Sequence, residues 1–312
     1  MTINKKAAVT AAAITLAAAI ALAGCAFGNG KSAAPAETPD YTGIPEIPVA
    51  SAPGVSAAEN KKAVVDYSNA GEGYVMAKFI EKIKMQARAL ITVPDGTQYI
   101  YRLIPGGEFE VLPLSGGDGE YVLEVLEEVE DMLYAHVLTV KIDVTLDNEF
   151  APFLRPNQYV NYSRDSAVVR KAAGLTEGID DAMEKIEAVY NFVITNIEYD
   201  EKLAAVVQSG YIPDVDAVLE SGRGICFDFA AIMTAMLRSQ SIPTRMVLGY
   251  TGDAYHAWIS VFSEETGWVD NMIFFDGANW KIMDPTFAAG SHGDEIMEYI
   301  GNAENYNALY QY

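Results

Sequence analysis

The stretch Gly224-Ile225-Cys226-Phe227-Asp228-Phe229-Ala230 decides how this chain is read. A glycine-containing loop, Gly222-Arg223-Gly224-Ile225, enters a helical pattern that starts near Cys226 and runs through Ala230, Met233 and Leu237. Pro243 ends it. The spacing places the cysteine at a helix N-terminus, where the positive end of the helix dipole favours thiolate over thiol. A free cysteine is most often a small hydrophobe in a core. Partners elsewhere in the sequence therefore decide its role.

Upstream, after Thr176, Ile179, Met183, Ile186, Val189, Tyr190, Val193 and Ile197 recur at three and four, which predicts an amphipathic helix of about five turns. Downstream, strand-like runs cover Arg245 to Tyr250, Tyr255 to Phe262, Met272 to Phe275 and Trp280 to Met283. Helices followed by strands indicate an α+β domain.

The chain has three histidines. His136 begins an apolar strand face and reads as core or edge packing. His292, in Gly290-Ser291-His292-Gly293, has no patterned neighbours. His256, in Tyr255-His256-Ala257-Trp258, shares a strand face with Trp258 and Ser260. Asp284 follows Trp280-Lys281-Ile282-Met283 and precedes Pro285. A carboxylate at a strand end can fix the tautomer of an imidazole on the neighbouring strand. Asp270 and Asp276 are rival orienters, although Asp276-Gly277 reads better as a hairpin turn.

Four blocks in this order, 224–230, Ile242-Pro243-Thr244-Arg245, Tyr255-His256-Ala257-Trp258 and Trp280 to Thr286, resemble the transglutaminase-like superfamily over residues 170 to 290. The end of the preceding helix, Tyr190-Asn191-Phe192 to Tyr199-Asp200, fits as well. The resemblance implies a papain-like core in which Cys226 opens a helix packed on an antiparallel sheet carrying His256 and Asp284. It implies acyl transfer. Cys226 attacks an amide carbonyl, His256 moves the proton to the leaving amine, and Asp284 orients His256. The backbone N–H of Cys226 would supply half of an oxyanion hole. In relatives the other half is an aromatic or amide side chain upstream of the cysteine. The thioester then passes to water or to a lysine amine, with hydrolysis favoured. A non-catalytic adhesion or scaffold protein on the same fold is the competing expectation, supported by eighteen tyrosines suited to contact surfaces.

The resemblance leaves the first 165 residues uncovered. From Ile83 the positions Ile83, Met85, Ala87, Ala89, Ile91 and Val93 alternate with polar residues, as a half-buried strand does. Pro94-Asp95-Gly96 is a turn, and Tyr99, Tyr101 and Leu103 resume the alternation as a hairpin partner. Strands also fit Tyr121 to Val125 and the stretch 136–146, with Gly116-Gly117-Asp118-Gly119 a loop between. The fold class expected is α+β, an N-terminal antiparallel, Ig-like β-sandwich over 61–165 followed by a papain-like transglutaminase-core domain over 166–312.

The first 24 residues follow a secretion pattern, with Lys5 and Lys6 ahead of an uncharged Ala/Ile/Leu stretch from Ala7 to Ala23. Leu22-Ala23-Gly24-Cys25 resembles a bacterial lipobox, which implies a diacylglycerol thioether on Cys25 and a membrane anchor. Residues 25–60 hold five of the thirteen prolines and read as a tether, spanning about 35 Å as a flexible coil. That length exceeds the Debye length of about 8 Å, so repulsion between an acidic protein and anionic lipids does not oppose the anchor.

Composition closes several alternatives. Acidic residues number 43 against 21 basic, a formal charge of -22, which argues against nucleic acid as a partner. Two cysteines, one of them the lipidation candidate, exclude a disulfide scaffold and a Cys-rich zinc site. Glu127-Glu128-Val129-Glu130-Asp131 lacks the glycine-punctuated spacing of a calcium loop and is expected to be a solvated face. No metal or cofactor is expected. The expected partner is a peptide or protein substrate, associated with the cell wall by location alone.

Overall fold

The computed structural model describes residues 43–130, 132–264, 267–269, 273–275, 280–282 and 306–312. Eight strands come first: β1 (Ala57–Glu59), β2 (Ala63–Asp66), β3 (Tyr74–Phe79), β4 (Ala87–Thr92), β5 (Gln98–Leu103), β6 (Glu110–Pro113), β7 (Gly119–Glu130) and β8 (Leu133–Val144). They form two four-stranded antiparallel sheets, in the orders β1-β2-β3-β6 and β5-β4-β7-β8.

The Pro94-Asp95-Gly96 turn joins β4 to β5 as its residue types require. The carbonyl of Val93 accepts from Gly96 N–H, and the Asp95 carboxylate accepts from Thr97 N–H. Alternation then sends Ala87, Ala89 and Ile91 inward with Tyr99, Tyr101 and Leu103. The strand expected from Ile83 begins only at Ala87, and Met85 is exposed. Pairing explains the difference. β5 ends at Leu103, opposite Ala87, and β7 runs on to Glu130 paired with β8 while its register with β4 ends at Glu127, so no paired strand on either side extends β4 before Ala87.

The acidic run also departs from a solvated face. Glu127 pairs with Lys62, while Glu128 is buried and accepts from the backbone N–H groups of Gln86 and Met132. His136 lies on the edge strand with its side chain 67% exposed, its Nδ1 2.9 Å from Glu124. Residues 43–60, within the stretch read as a tether, pack against the first sheet. Ile44 and Ile47 are buried, and Asn69 donates to the Ser51 carbonyl.

The second half contains α1 (Ala167–Leu175), α2 (Ala182–Asn196), β9 (Glu198–Tyr199), α3 (Glu201–Val206), α4 (Val215–Ser221), β10 (Arg223–Gly224), α5 (Cys226–Ser239), β11 (Thr244–Thr251), β12 (Ala254–Ser263), β13 (Gly267–Val269), β14 (Ile273–Phe275), β15 (Trp280–Ile282) and β16 (Tyr306–Gln311). Helix α2 starts three residues later than Ile179, because Asp181 caps it by accepting from the N–H groups of Met183 and Glu184.

Helix α5 is the centre. Every residue from Asp228 to Ser239 is buried, the signature of a helix covered on all sides. Helices α1, α2 and α4 cover it on one side, and β11 and β12 cover it on the other. These strands belong to the antiparallel sheet β13-β12-β11-β16.

One hydrophobic cluster runs from the two N-terminal sheets into this helical core. At the junction the Tyr312 ring meets Tyr99, Tyr101 and Tyr159 with centroids 5.4, 5.9 and 4.7 Å away. Arg238, at the end of α5, donates to the carbonyls of Thr244, Arg155 and Tyr312.

Candidate active site

The loop that delivers Cys226 is held by backbone geometry. Strand β10 pairs in parallel with β9, Gly224 opposite Tyr199, and the carbonyl of Gly224 accepts from Asp200 N–H at 2.8 Å. A Cβ on Gly224 would lie 2.6 Å from the Cβ of Asp228, so only glycine lets the chain turn this tightly into α5. Ile225 is the N-cap, and Asp228 at N3 reaches back to accept its N–H at 2.8 Å, one half of a capping box. Cys226 is a free thiol, half-buried in the first turn.

Asp228 does more than cap. Its other oxygen accepts from the Tyr211 hydroxyl at 2.8 Å, and its side chain is fully buried. Burial raises its pKa above the ordinary carboxylate value, against the two donated hydrogen bonds that lower it. In the sequence, Asp228 carries one signal for this role, an acidic side chain three positions after the last loop residue, Ile225, which is the spacing of a capping-box carboxylate.

His256 is buried on β12, opposite Gly249 of β11. Its ring lies 6.3 Å from that of Trp258, the next residue on the same face. Gly249 sits where the β11–β16 register shifts, and a Cβ there would fall 2.1 Å from the Asn307 carbonyl oxygen. Glycine thus lets the backbone of β16 pair closely with β11, the strand beside the histidine strand.

Cys226 and His256 line one cavity of about 590 Å³. Tyr199, Tyr255 and Gln208 line it as well. Burial raises the hydroxyl pKa values of both Tyr199 and Tyr255, the latter to about 12, and proximity to Cys226 adds to each rise. Both stay protonated donors at neutral pH. Two residues reach in from the second N-terminal sheet, Arg88 of β4 and Ile100 of β5. The cavity is therefore not built by the helical half alone.

Asp284, its rivals Asp270 and Asp276, and His292 lie outside the described residues, as does Cys25. Strands β14 and β15, which flank Asp276 and precede Asp284, pair antiparallel with Phe275 opposite Trp280, the hairpin expected there.

Residues 169–285 match the family model of the transglutaminase-like superfamily. The uncharacterized protein YebA of Bacillus subtilis (strain 168) is 30% identical over an alignment 117 positions long that covers 31% of this chain. The chain spans only 16% of that relative's length. Among solved structures, a cysteine protease candidate from Cytophaga hutchinsonii aligns over 76% of this chain and 75% of its own, at 15% identity and a TM-score of 0.38. Red sea bream transglutaminase aligns over 73% of this chain and 53% of its own, at 12% identity and a TM-score of 0.31.

Proposed function

We propose that this chain is a surface-anchored cysteine acyl-transfer enzyme that acts on peptide or side-chain amides through Cys226, His256 and Asp284. One observation carries the proposal. A thiol in the first turn of a buried helix and an imidazole on the adjacent sheet share one cavity. In this reading the Cys226 thiolate bonds to the amide carbon and pushes an electron pair onto the carbonyl oxygen. The Cys226 N–H and the Tyr199 hydroxyl receive that oxyanion. Collapse of the adduct expels the amine, which takes a proton from the His256 imidazolium, leaving a thioester. Water then attacks, gives its proton to His256, and releases a carboxylic acid and the thiolate. Asp284 holds the imidazole in orientation.

Hydrolysis is proposed over amine transfer because Cys226 is half-exposed, and excluding water would require an enclosed acceptor channel. The two N-terminal sheets are proposed as an Ig-like accessory domain, the expected span 61–165 extended back to include β1 at Ala57–Glu59, with 166–312 the catalytic domain. Lipid on Cys25 would hold both at a bacterial membrane, facing cell-wall peptides and surface proteins. For the adhesion alternative fewer tyrosines are available as contact surface, since Tyr74, Tyr99, Tyr101, Tyr121, Tyr162, Tyr190 and Tyr312 are buried while Tyr250 and Tyr255 are exposed.

The test is intact-mass detection of an acyl adduct on Cys226 after incubation with wall peptides and glutamine donors, with Cys226→Ala as control. His256→Ala should in parallel slow alkylation of Cys226 by iodoacetamide. An enzyme is ruled out if no adduct forms and both proteins alkylate at the same rate.

A further inference from the structure

The lining of the active-site cavity departs from the rest of the chain. The protein carries 43 acidic residues, yet no Asp or Glu lines this cavity among the described residues. The one lysine or arginine among them is Arg88. Its guanidinium is held in place, Nε donating to the Tyr134 hydroxyl at 2.7 Å and Nη2 to Oε1 of Gln86 at 2.9 Å, with the Tyr134 ring 5.5 Å beneath. Arg88 forms no ion pair among the described residues, and its Nη1 has no hydrogen-bond partner there. Glu128, whose pKa the charge of Arg88 helps lower, is occupied by the backbone N–H groups of Met132 and Gln86.

Tyr159, Tyr199, Tyr211, Tyr255, Tyr310 and Tyr312 line the same cavity. Arg88 is felt at the Tyr159 hydroxyl, which itself donates to the Ile100 carbonyl at 2.8 Å. Burial raises the Tyr159 hydroxyl to about 12, so it stays neutral. A half-buried arginine with an open donor, flanked by neutral aromatic walls and no competing carboxylate, is a receptor for a carboxylate.

We infer that Arg88, delivered by the N-terminal sheet, is a substrate-binding residue that selects amide substrates bearing a carboxylate, either a free α-carboxylate or an acidic side chain. The inference rests on the cysteine-enzyme reading and gives that enzyme its substrate class. It also gives the N-terminal sheets a function, because the catalytic half by itself supplies no lysine or arginine to the cavity among the described residues.

The test measures protection of Cys226 from iodoacetamide in the folded chain. Three alanine-rich tetrapeptides serve as probes: one with a free α-carboxylate, one amidated and neutral, and one amidated with an internal glutamate. The carboxylate probes should protect at concentrations about tenfold to a hundredfold lower than the neutral one, the range of a charge-assisted hydrogen bond. Whichever carboxylate probe protects better identifies the source of the carboxylate. Arg88→Gln should erase the preference, and Arg88→Lys should keep part of it, which separates lost charge from a misfolded protein. Equal protection by charged and neutral probes, no protection by either charged probe, or a preference that survives in Arg88→Gln overturns the inference. Failure of the enzyme reading looks different, because Cys226 would then alkylate at the same rate with and without His256.

Discussion

The Tyr211 hydroxyl donates to Oδ1 of Asp228 at 2.8 Å, tying the segment that follows α3 to the first turn of the cysteine helix. Two donors from different parts of the chain thus converge on one buried carboxylate, because Ile225 N–H occupies the other oxygen. The arrangement fixes the start of α5, and with it the position of Cys226.

Replacing Asp228 separates hydrogen bonding from charge. Asp228→Ala should cost about 1–3 kcal/mol by leaving a buried N–H and a hydroxyl unpaired. Asp228→Asn can accept from Ile225 and donate to Tyr211, so it should be at least as stable as the wild type at neutral pH. The sign follows from burial, which raises the folded-state pKa above the unfolded value. Stability from the protonated form is complete below the unfolded value and is lost as pH rises through the folded one. The advantage of Asn should therefore vanish in acid and grow as pH rises. Urea titrations across pH check it, and an Asn variant as unstable as Ala at neutral pH would refute it.

Tyr199→Phe removes the proposed second oxyanion donor and keeps the ring. Turnover should fall about 10²–10³-fold with little change in KM. A variant that changes only KM would assign Tyr199 to substrate binding.

Arg238 is buried, is drawn down to a pKa of about 10 by burial, and serves three carbonyls with no ion pair among the described residues. Arg238→Met should cost roughly 3 kcal/mol, since it abandons three buried acceptors. Arg238→Lys should recover only part, because one ammonium cannot reproduce the planar fork. Chemical denaturation measures both. A neutral Met variant would mean that the junction between the N-terminal sheets and α5 is held by packing alone.

Cys25→Ser should move the protein from the membrane fraction to the soluble fraction and abolish incorporation of labelled fatty acid. Persistent labelling of the serine variant would refute the lipid anchor.

The positions of Cys226 and His256 were legible in the sequence because each depends on local rules. A glycine loop entering a 3.6-residue pattern yields a helix start, and alternation with Trp258 sets the face of the histidine strand. The hairpin at Pro94-Asp95-Gly96 was legible for the same reason. Other features were not. Helix α1 has a short apolar stripe that no longer pattern supports, and β1 is a three-residue strand defined only by pairing with β2. Strand β16 is a strand because Gly249 leaves room for its backbone beside β11.

The sequence alone determined a cysteine at a helix mouth, a histidine on a strand, and two alternating strands joined by a Pro-Asp-Gly turn, because helix and strand periods are properties of neighbouring residues. Tertiary structure decided what surrounds that chemistry. Arg88 lies far from Cys226 along the chain, and no periodicity can say that one cavity receives both. Tyr211 likewise meets Asp228 only because the chain doubles back. Such pairings depend on how the sheets and helices bury their apolar faces against one another, and that is a property of the whole core.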